Sequence, residues 1–296
     1  MTEISLRVFG RAARVAVAAL AMAVASAGLV SAQTTVTTQP ATGTPDPNPG
    51  ALTFTGGLDV PSKYVFRGLV QEADSSLTLF PYGDIGIALY SGEGGIKSAS
   101  VNFGVWNSLM TGTSGTGGLT EKLHYEEDFY TTLNLGFGKG FSLGTTYTAY
   151  TSPNGSFGTV HELAFKVAKS HFLSPYGVIA FELDGQADGG ANEGTYLELG
   201  VGPAWPIAGG KALVTVPVKF GFSLNDYYEG ADGDEAFGYF QVGGVLSAPI
   251  TSPTSKFGVW SVKGGLDIYA FGDTPKAFNN GDSSKVVATF GIGVVY

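Results

Sequence analysis

Residues 286–296, VVATFGIGVVY, decide the fold. Successive side chains of a strand point to opposite faces. Val286, Ala288, Phe290, Ile292, Val294 and Tyr296 therefore share one apolar face, and Val287, Thr289, Gly291, Gly293 and Val295 share a second face of mostly small residues. A water-soluble domain tends to fray at its ends, so a strand that keeps its alternation up to a final aromatic fits a barrel closing in lipid. Such a strand pairs with the first one and removes the open sheet edge.

Working outward from it, eleven further segments carry strand signals. The twelve run approximately 52 to 69, 77 to 90, 97 to 108, 123 to 138, 141 to 150, 158 to 169, 172 to 184, 194 to 206, 212 to 225, 236 to 248, 258 to 271 and 285 to 296. They are longer than typical strands of globular sheets and match a tilted crossing of a bilayer. In 123 to 138, Phe129, Thr131, Leu133, Leu135 and Phe137 oppose Asp128, Tyr130, Thr132, Asn134 and Gly136. A soluble sandwich would show the same alternation, but its polar face would be richer in Lys and Glu. Here 14% of residues are charged, and the polar faces are largely Gly, Ser, Thr, Asn and Tyr. The fold expected is all-β: a transmembrane antiparallel up-and-down β-barrel of about 12 strands over 51–296.

The connections sort by length and by charge. Alternate ones, starting with Gln71 to Ser76, are mostly longer and hold Glu72, Asp74, Glu121, Asp188, Glu193, Asp226, Glu229, Asp232, Asp234, Glu235, Asp273 and Asp282 against Lys122 and Lys276. The others are mostly short and carry Lys139, Lys169, Lys211 and Lys256 against Glu93. Long external loops and short periplasmic turns are the pattern of outer-membrane barrels, and an even strand number puts both termini on the periplasmic side.

Ahead of the barrel, Arg7, Arg11 and Arg14 precede an apolar run from Val15 to about Val24, and Val30-Ser31-Ala32 offers cleavage before Gln33. Residues 1–32 are expected to be a signal peptide. Residues 33–50 (QTTVTTQPATGTPDPNPG) have no apolar periodicity and read as a disordered Thr/Pro-rich periplasmic tail, with a plug inside the lumen as the alternative. The chain has no cysteine and a net charge of −9. Disulfides and thiolate metal sites are excluded, and the lack of basic clusters argues against nucleic acid as a partner.

Tyr64-Val65-Phe66-Arg67-Gly68-Leu69-Val70-Gln71, shortly after Gly56-Gly57-Leu58, resembles the opening segment of the TorF-family porins, with Val70 where that family has Ser. The apolar strand around Ile85 to Tyr90 and Phe103-Gly104-Val105-Trp106 are similar to the same region, so the resemblance covers residues 54 to 107. It implies an outer-membrane barrel with a pore role and no catalytic residues. Phe290, Ile292, Val294 and Tyr296 resemble the terminal aromatic signal read by the barrel-assembly machinery.

Polar residues of lumen parity are the candidates for a solute path, since ionisable groups within a membrane are tolerated where they face a water-filled interior. They are Asp59, Asp84, Asn102, Glu126, Asp128, Asn134, Glu162, Lys166, Glu182, Glu198, Lys219, Lys263 and Asp267, with Arg67 added although the first strand shifts phase near Pro61. The competing reading is an ion-pair network that fills a narrow barrel. Acidic groups outnumber basic ones, which predicts a modest cation preference.

No cofactor or metal site is expected. Asp226 to Glu235 (DYYEGADGDE) gathers carboxylates but lacks the spacing of a calcium loop; it reads as a solvated acidic loop, with divalent cations bridging that rim to lipopolysaccharide as the alternative. His124, His161 and His171 lack a G-x-S-x-G elbow or an orienting acid at informative spacing, so no enzyme is expected. The sequence thus points to a porin-like channel for passive diffusion of small hydrophilic solutes. A non-conducting structural or adhesion barrel acting through its acidic loops is the alternative.

Overall fold

The computed structural model describes residues 50–114, 121–230 and 233–296. The signal segment and all but the last residue of the 33–50 tail lie outside them, as do parts of the loops around residues 115 and 231. Alternating sequence produces one antiparallel sheet: β1 (Leu52–Pro61), β2 (Thr78–Ser91), β3 (Ile96–Met110), β4 (His124–Phe137), β5 (Phe141–Thr151), β6 (Val160–Lys169) and β7 (Tyr176–Asp184). It continues through β8 (Thr195–Val201 and Ala204–Ile207), β9 (Ala212–Thr215 and Val218–Asn225), β10 (Phe237–Pro249), β11 (Val259–Phe271) and β12 (Ser284–Val295). Each strand pairs with its sequence neighbours and β12 pairs with β1, so the sheet closes as a twelve-stranded barrel.

Closure runs through the segment that opened the sequence reading. Leu58 stands opposite Ile292 and Thr55 opposite Val295, and Phe54 and Tyr296 exchange backbone hydrogen bonds of 2.6 and 2.8 Å. Tyr296 and Phe290 face outward, Phe290 with 71% of its surface exposed. Ile85, Phe103, Phe129, Leu199, Phe220, Leu246 and Leu266 continue the same exposed apolar surface around the wall. A soluble monomer rarely shows so extended an apolar belt.

Four features depart from the sequence expectation. The first strand ends at Pro61 instead of running to residue 69, and residues 62–77 turn into the lumen. There Val65–Phe66 and Leu69–Val70 form a short hairpin around Arg67 (φ 46°) and Gly68 (φ 87°). Two consecutive positive φ values define the tight primed turn that suits a twisted hairpin. The seventh strand begins at Tyr176 because Ser174 (φ 45°) and Pro175 turn the chain there.

The third departure is that β8 and β9 are interrupted side by side. Pro203 and Pro217 have no N–H to give to the ladder; each instead accepts through its carbonyl, from Val216 at 3.0 Å and Gly243 at 2.9 Å. Finally, the last long connection contains a helix, α1 (Asp273–Phe278). No helix among the described residues is long and apolar enough to cross a membrane.

Candidate functional site

The candidate site is the lumen, and its most prominent occupant is the hairpin Tyr64–Gln71. Its tip, Arg67, is fully buried and forks onto Glu162 of β6, with Nη1 donating to Oε2 at 2.6 Å and Nη2 to Oε1 at 2.8 Å. Nη1 also donates to the Tyr227 hydroxyl at 2.9 Å. The guanidinium lies 4.2 Å from the centroid of the Tyr196 ring, a cation–π contact that gains strength in a dry site. Burial alone lowers the Arg67 pKa, but Glu162 more than offsets it and holds the group above its ordinary value.

Backbone atoms of the hairpin are secured as well. The Tyr228 hydroxyl donates to the Arg67 carbonyl at 2.8 Å. Asn279, just past α1, accepts from the Val70 N–H and donates to the Gly68 carbonyl, both at 2.8 Å. The hairpin's other side is aromatic: Tyr64 packs edge-on against Phe80 at 5.0 Å and tilted against Trp106 at 5.5 Å. Tyr125 donates to the Gln71 side chain at 2.8 Å, and Glu126 and Asp128 lie beside Tyr64. Burial, then these carboxylates, push the Tyr64 phenol upward.

All the other candidate residues also have their side chains on the inner face, where they fall into distinct groups. Asn102 donates to Asp84 at 2.6 Å and Asn134 to Asn102 at 3.1 Å, an amide ladder across β2, β3 and β4. Glu198 accepts from the hydroxyls of Tyr176, Tyr196 and Tyr239 at 2.8 to 3.0 Å, and the Lys166 ammonium lies over the Tyr176 ring. Glu182 instead faces its own loop and takes the N–H groups of Ala187 and Gly194, each at 2.6 Å. Beneath the hairpin, Lys263 pairs with Asp59 at 2.8 Å and Gln241 donates to Asp267 at 2.6 Å, with Lys219 directly opposite Gln241.

Arg67 needs a correction. It belongs to no barrel strand, and it reaches the lumen because its hairpin is folded inward. Residues that the sequence reading missed, Tyr196, Tyr227, Tyr228, Tyr239 and Asn279, hold the hairpin or support those that do. Their signal was the adjacent Tyr227-Tyr228 inside an otherwise acidic loop, since two aromatics there need somewhere to be buried.

The acidic loops act largely on one another. Glu72 accepts from the N–H groups of Asp74 and Ser114 at 2.8 and 2.7 Å. Burial raises its pKa, and these donors bring it below its ordinary value. Glu229 accepts from the Asn192 N–H at 3.0 Å and the Asn192 side chain at 2.7 Å, which hold it low. Asp188 sits deeper, and burial pushes its carboxyl up to about 6 against the Gly190 N–H that stabilises its charge. Among the described residues no cluster of carboxylates and imidazoles fits a metal ion. Three different partners engage the histidines: His124 meets Asn107, His161 meets Tyr147, and His171 accepts from the Leu173 N–H.

No protein-family profile matches the chain, the TorF porins included, and no curated protein does either. Solved structures share the architecture at low identity. The chain is similar to the COG4313 outer membrane channel from Pseudomonas putida F1, with 11% identity and a TM-score of 0.47 over 84% of this chain and 97% of that one. It is similar to the NanC porin with 12% identity and a TM-score of 0.39 over 83% and 98%. It is also similar to outer membrane phospholipase A from Escherichia coli, with 9% identity and a TM-score of 0.42 over 94% and 97%. That last neighbour corrects the expectation that the chain is no enzyme: a barrel of this class includes a phospholipase, so the fold gives no ground for excluding catalysis. What the neighbours share with this chain is the fold of outer-membrane β-barrels.

Proposed function

We propose that the chain is a porin-like channel of the bacterial outer membrane that passes small hydrophilic solutes, closed by the Tyr64–Gln71 hairpin and opened when that hairpin leaves the lumen. The observation that carries this reading is Arg67 seated on Glu162 inside the barrel. A charge pair built across the lumen between a loop and the wall is a reversible fastening, whereas an aliphatic plug would complete a permanently filled core. The apolar belt suits lipid, the acidic long-loop rim suits divalent bridging to lipopolysaccharide, and Tyr296 suits recognition by the assembly machinery. Export by cleavage near Ala32 and Gln33 belongs to the same reading. The stretch by which the chain resembles the TorF porins is the hairpin itself.

Ion preference follows from what the open lumen would present. Asp59, Asp84, Glu126, Asp128, Glu162 and Glu198 outweigh Lys166, Lys219 and Lys263, and opening removes Arg67 from the balance. Cations are therefore favoured modestly. The alternative, adhesion through acidic loops, is weakened because Glu72 and Glu229 spend their oxygens on neighbouring loop amides. The test is a planar-bilayer recording of refolded protein with Tyr64–Gln71 replaced by a short Gly-Ser turn. Frequent cation-preferring steps are expected, against rare ones in the intact chain. No steps from a correctly folded variant would favour the non-conducting barrel, and anion preference would remove the charge argument.

A further inference from the structure

Arg67 occupies a seat made of residues outside its own hairpin. Glu162 on β6 offers both carboxylate oxygens, at 2.6 and 2.8 Å, and the Tyr150 hydroxyl on β5 donates to Oε1 at 3.1 Å, which steadies the carboxylate. Tyr196 on β8 sets its ring centroid 4.2 Å from the guanidinium carbon. Tyr227, just after β9, adds its hydroxyl at 2.9 Å and its ring at 5.3 Å. The neighbouring Tyr228 hydroxyl donates to the Arg67 carbonyl at 2.8 Å. The seat thus meets two groups of an arginine residue, the guanidinium and the carbonyl.

These side chains are held in place by one another and by the wall. The Tyr196 hydroxyl lies 2.9 Å from that of Tyr239 and donates to Glu198 at 3.0 Å. The Tyr227 N–H donates to the Ser223 hydroxyl at 3.1 Å. A Cβ on Gly194 would lie 2.7 Å from the Tyr227 Cα, so a glycine before β8 lets the two backbones touch. None of these contacts uses a hairpin atom. Withdrawal of the hairpin therefore leaves the seat assembled, with Glu162, 1% exposed beneath Arg67, facing the lumen without its cation. Beside the hairpin the lumen also keeps a cavity bordered by Tyr64, Val65, Lys219 and Asp267, so the hairpin does not rest on a filled core.

We propose that this seat is a binding site for solutes that carry an arginine side chain, as the free amino acid or in a short peptide, and that Arg67 is its resident stand-in. A guanidinium is the cation this geometry selects. Its planar fork meets both Glu162 oxygens while its face lies on Tyr196, whereas a lysine ammonium is a point charge without that fork. A cationic solute also suits the acidic lumen. The solute takes the seat only when the hairpin has left, so its binding draws the population toward the open barrel. The assignment rests on the channel reading and deepens it by naming the solute, yet binding can be measured without any conductance.

Isothermal titration of the full refolded chain carrying Arg67→Ala, with N-acetylarginine amide and N-acetyllysine amide at one ionic strength, provides the test. The two probes have equal charge and differ in the cation's shape. The arginine probe is expected to bind about tenfold or more tightly, the scale of one charge-assisted hydrogen bond. Adding Glu162→Gln should bring the two affinities within about threefold of each other. The intact chain, whose own Arg67 competes, should bind the arginine probe more weakly than Arg67→Ala does, and its open probability in planar bilayers should rise with that probe and not with the lysine one. Free arginine separates the two sources: binding as tight as the capped probe assigns the seat to the amino acid, and weaker binding assigns it to a peptide. Equal affinity of Arg67→Ala for both capped probes, or a preference that survives Glu162→Gln, overturns the assignment. Should Arg67→Ala fail to fold, the response of the intact chain to the two capped probes still decides. Arginine preference in a barrel that never conducts would sink the channel reading alone, and a conducting barrel without that preference would sink this inference alone.

Discussion

Replacing Glu162 with Gln should loosen the hairpin while leaving the wall intact. The substitution keeps the volume but takes the counter-charge from a fully buried guanidinium held by bonds of 2.6 and 2.8 Å. Removing one partner of a buried pair costs about 3 to 5 kcal/mol. Part of this is retained, because Arg67 keeps the Tyr227 hydroxyl and the Tyr196 ring, the latter worth about 2 kcal/mol when desolvated. About 1 to 3 kcal/mol remains, which raises the fraction of hairpin outside the lumen by about 5-fold to 140-fold. Arg67 is the only arginine after Arg14, so an arginine-specific protease has one site in the barrel. Its cleavage rate follows the open population when opening and closing are fast. Single-channel open probability should rise by the same factor. If both change by less than about threefold in a protein that still shows heat-shifted mobility on gels, Glu162 does not hold the hairpin and the reasoning fails.

Other perturbations probe separate contacts. Asn279→Ala strands the Val70 N–H and the Gly68 carbonyl, each bonded at 2.8 Å; it should weaken hairpin seating by about 2 kcal/mol and speed cleavage at Arg67 without changing the urea midpoint of the barrel. Asp188→Asn tests the loop carboxyl that burial raises from 3.8 to about 6. Because the folded value is the higher one, the charged form destabilises the fold above that pH, and the penalty fades as pH falls toward the unfolded value. The variant should therefore exceed the wild type by about 1 kcal/mol near pH 8 and match it near pH 4 in urea titrations. A constant difference across that range would show that the carboxyl is not destabilised by burial.

The wall was readable because its physics is local. Side-chain parity in VVATFGIGVVY fixes which residues face outward, and glycine and proline turns mark the ends of most strands without reference to anything distant. The hairpin was not readable for the opposite reason. Tyr64, Val65, Phe66, Leu69 and Val70 are apolar enough to continue β1, and only burial inside the barrel distinguishes a wall strand from an inserted hairpin. Arg67-Gly68 lacks the Asn-Gly signature of a primed turn, and the partners that hold Arg67 lie 95 and 160 residues away in sequence. Parity likewise gave the inner face of Glu162 and Lys219, but it cannot tell that the first fastens a plug while the second is left facing a cavity. The paired interruptions at Pro203 and Pro217 were visible as prolines, yet their alignment across neighbouring strands depends on register.

The most direct test of closure by the hairpin uses a reversible covalent lock. A Cβ at Gly68 would lie 3.2 Å from Cβ of Tyr239 on β10, close to the separation that a disulfide spans. The chain has no cysteine of its own. Gly68→Cys and Tyr239→Cys, introduced together with Glu162→Gln, should give a barrel that conducts when reduced, falls silent when oxidised and conducts again on reduction. Equal conductance in the oxidised and reduced states, with the bond verified by mass spectrometry, would show that the hairpin does not close the lumen.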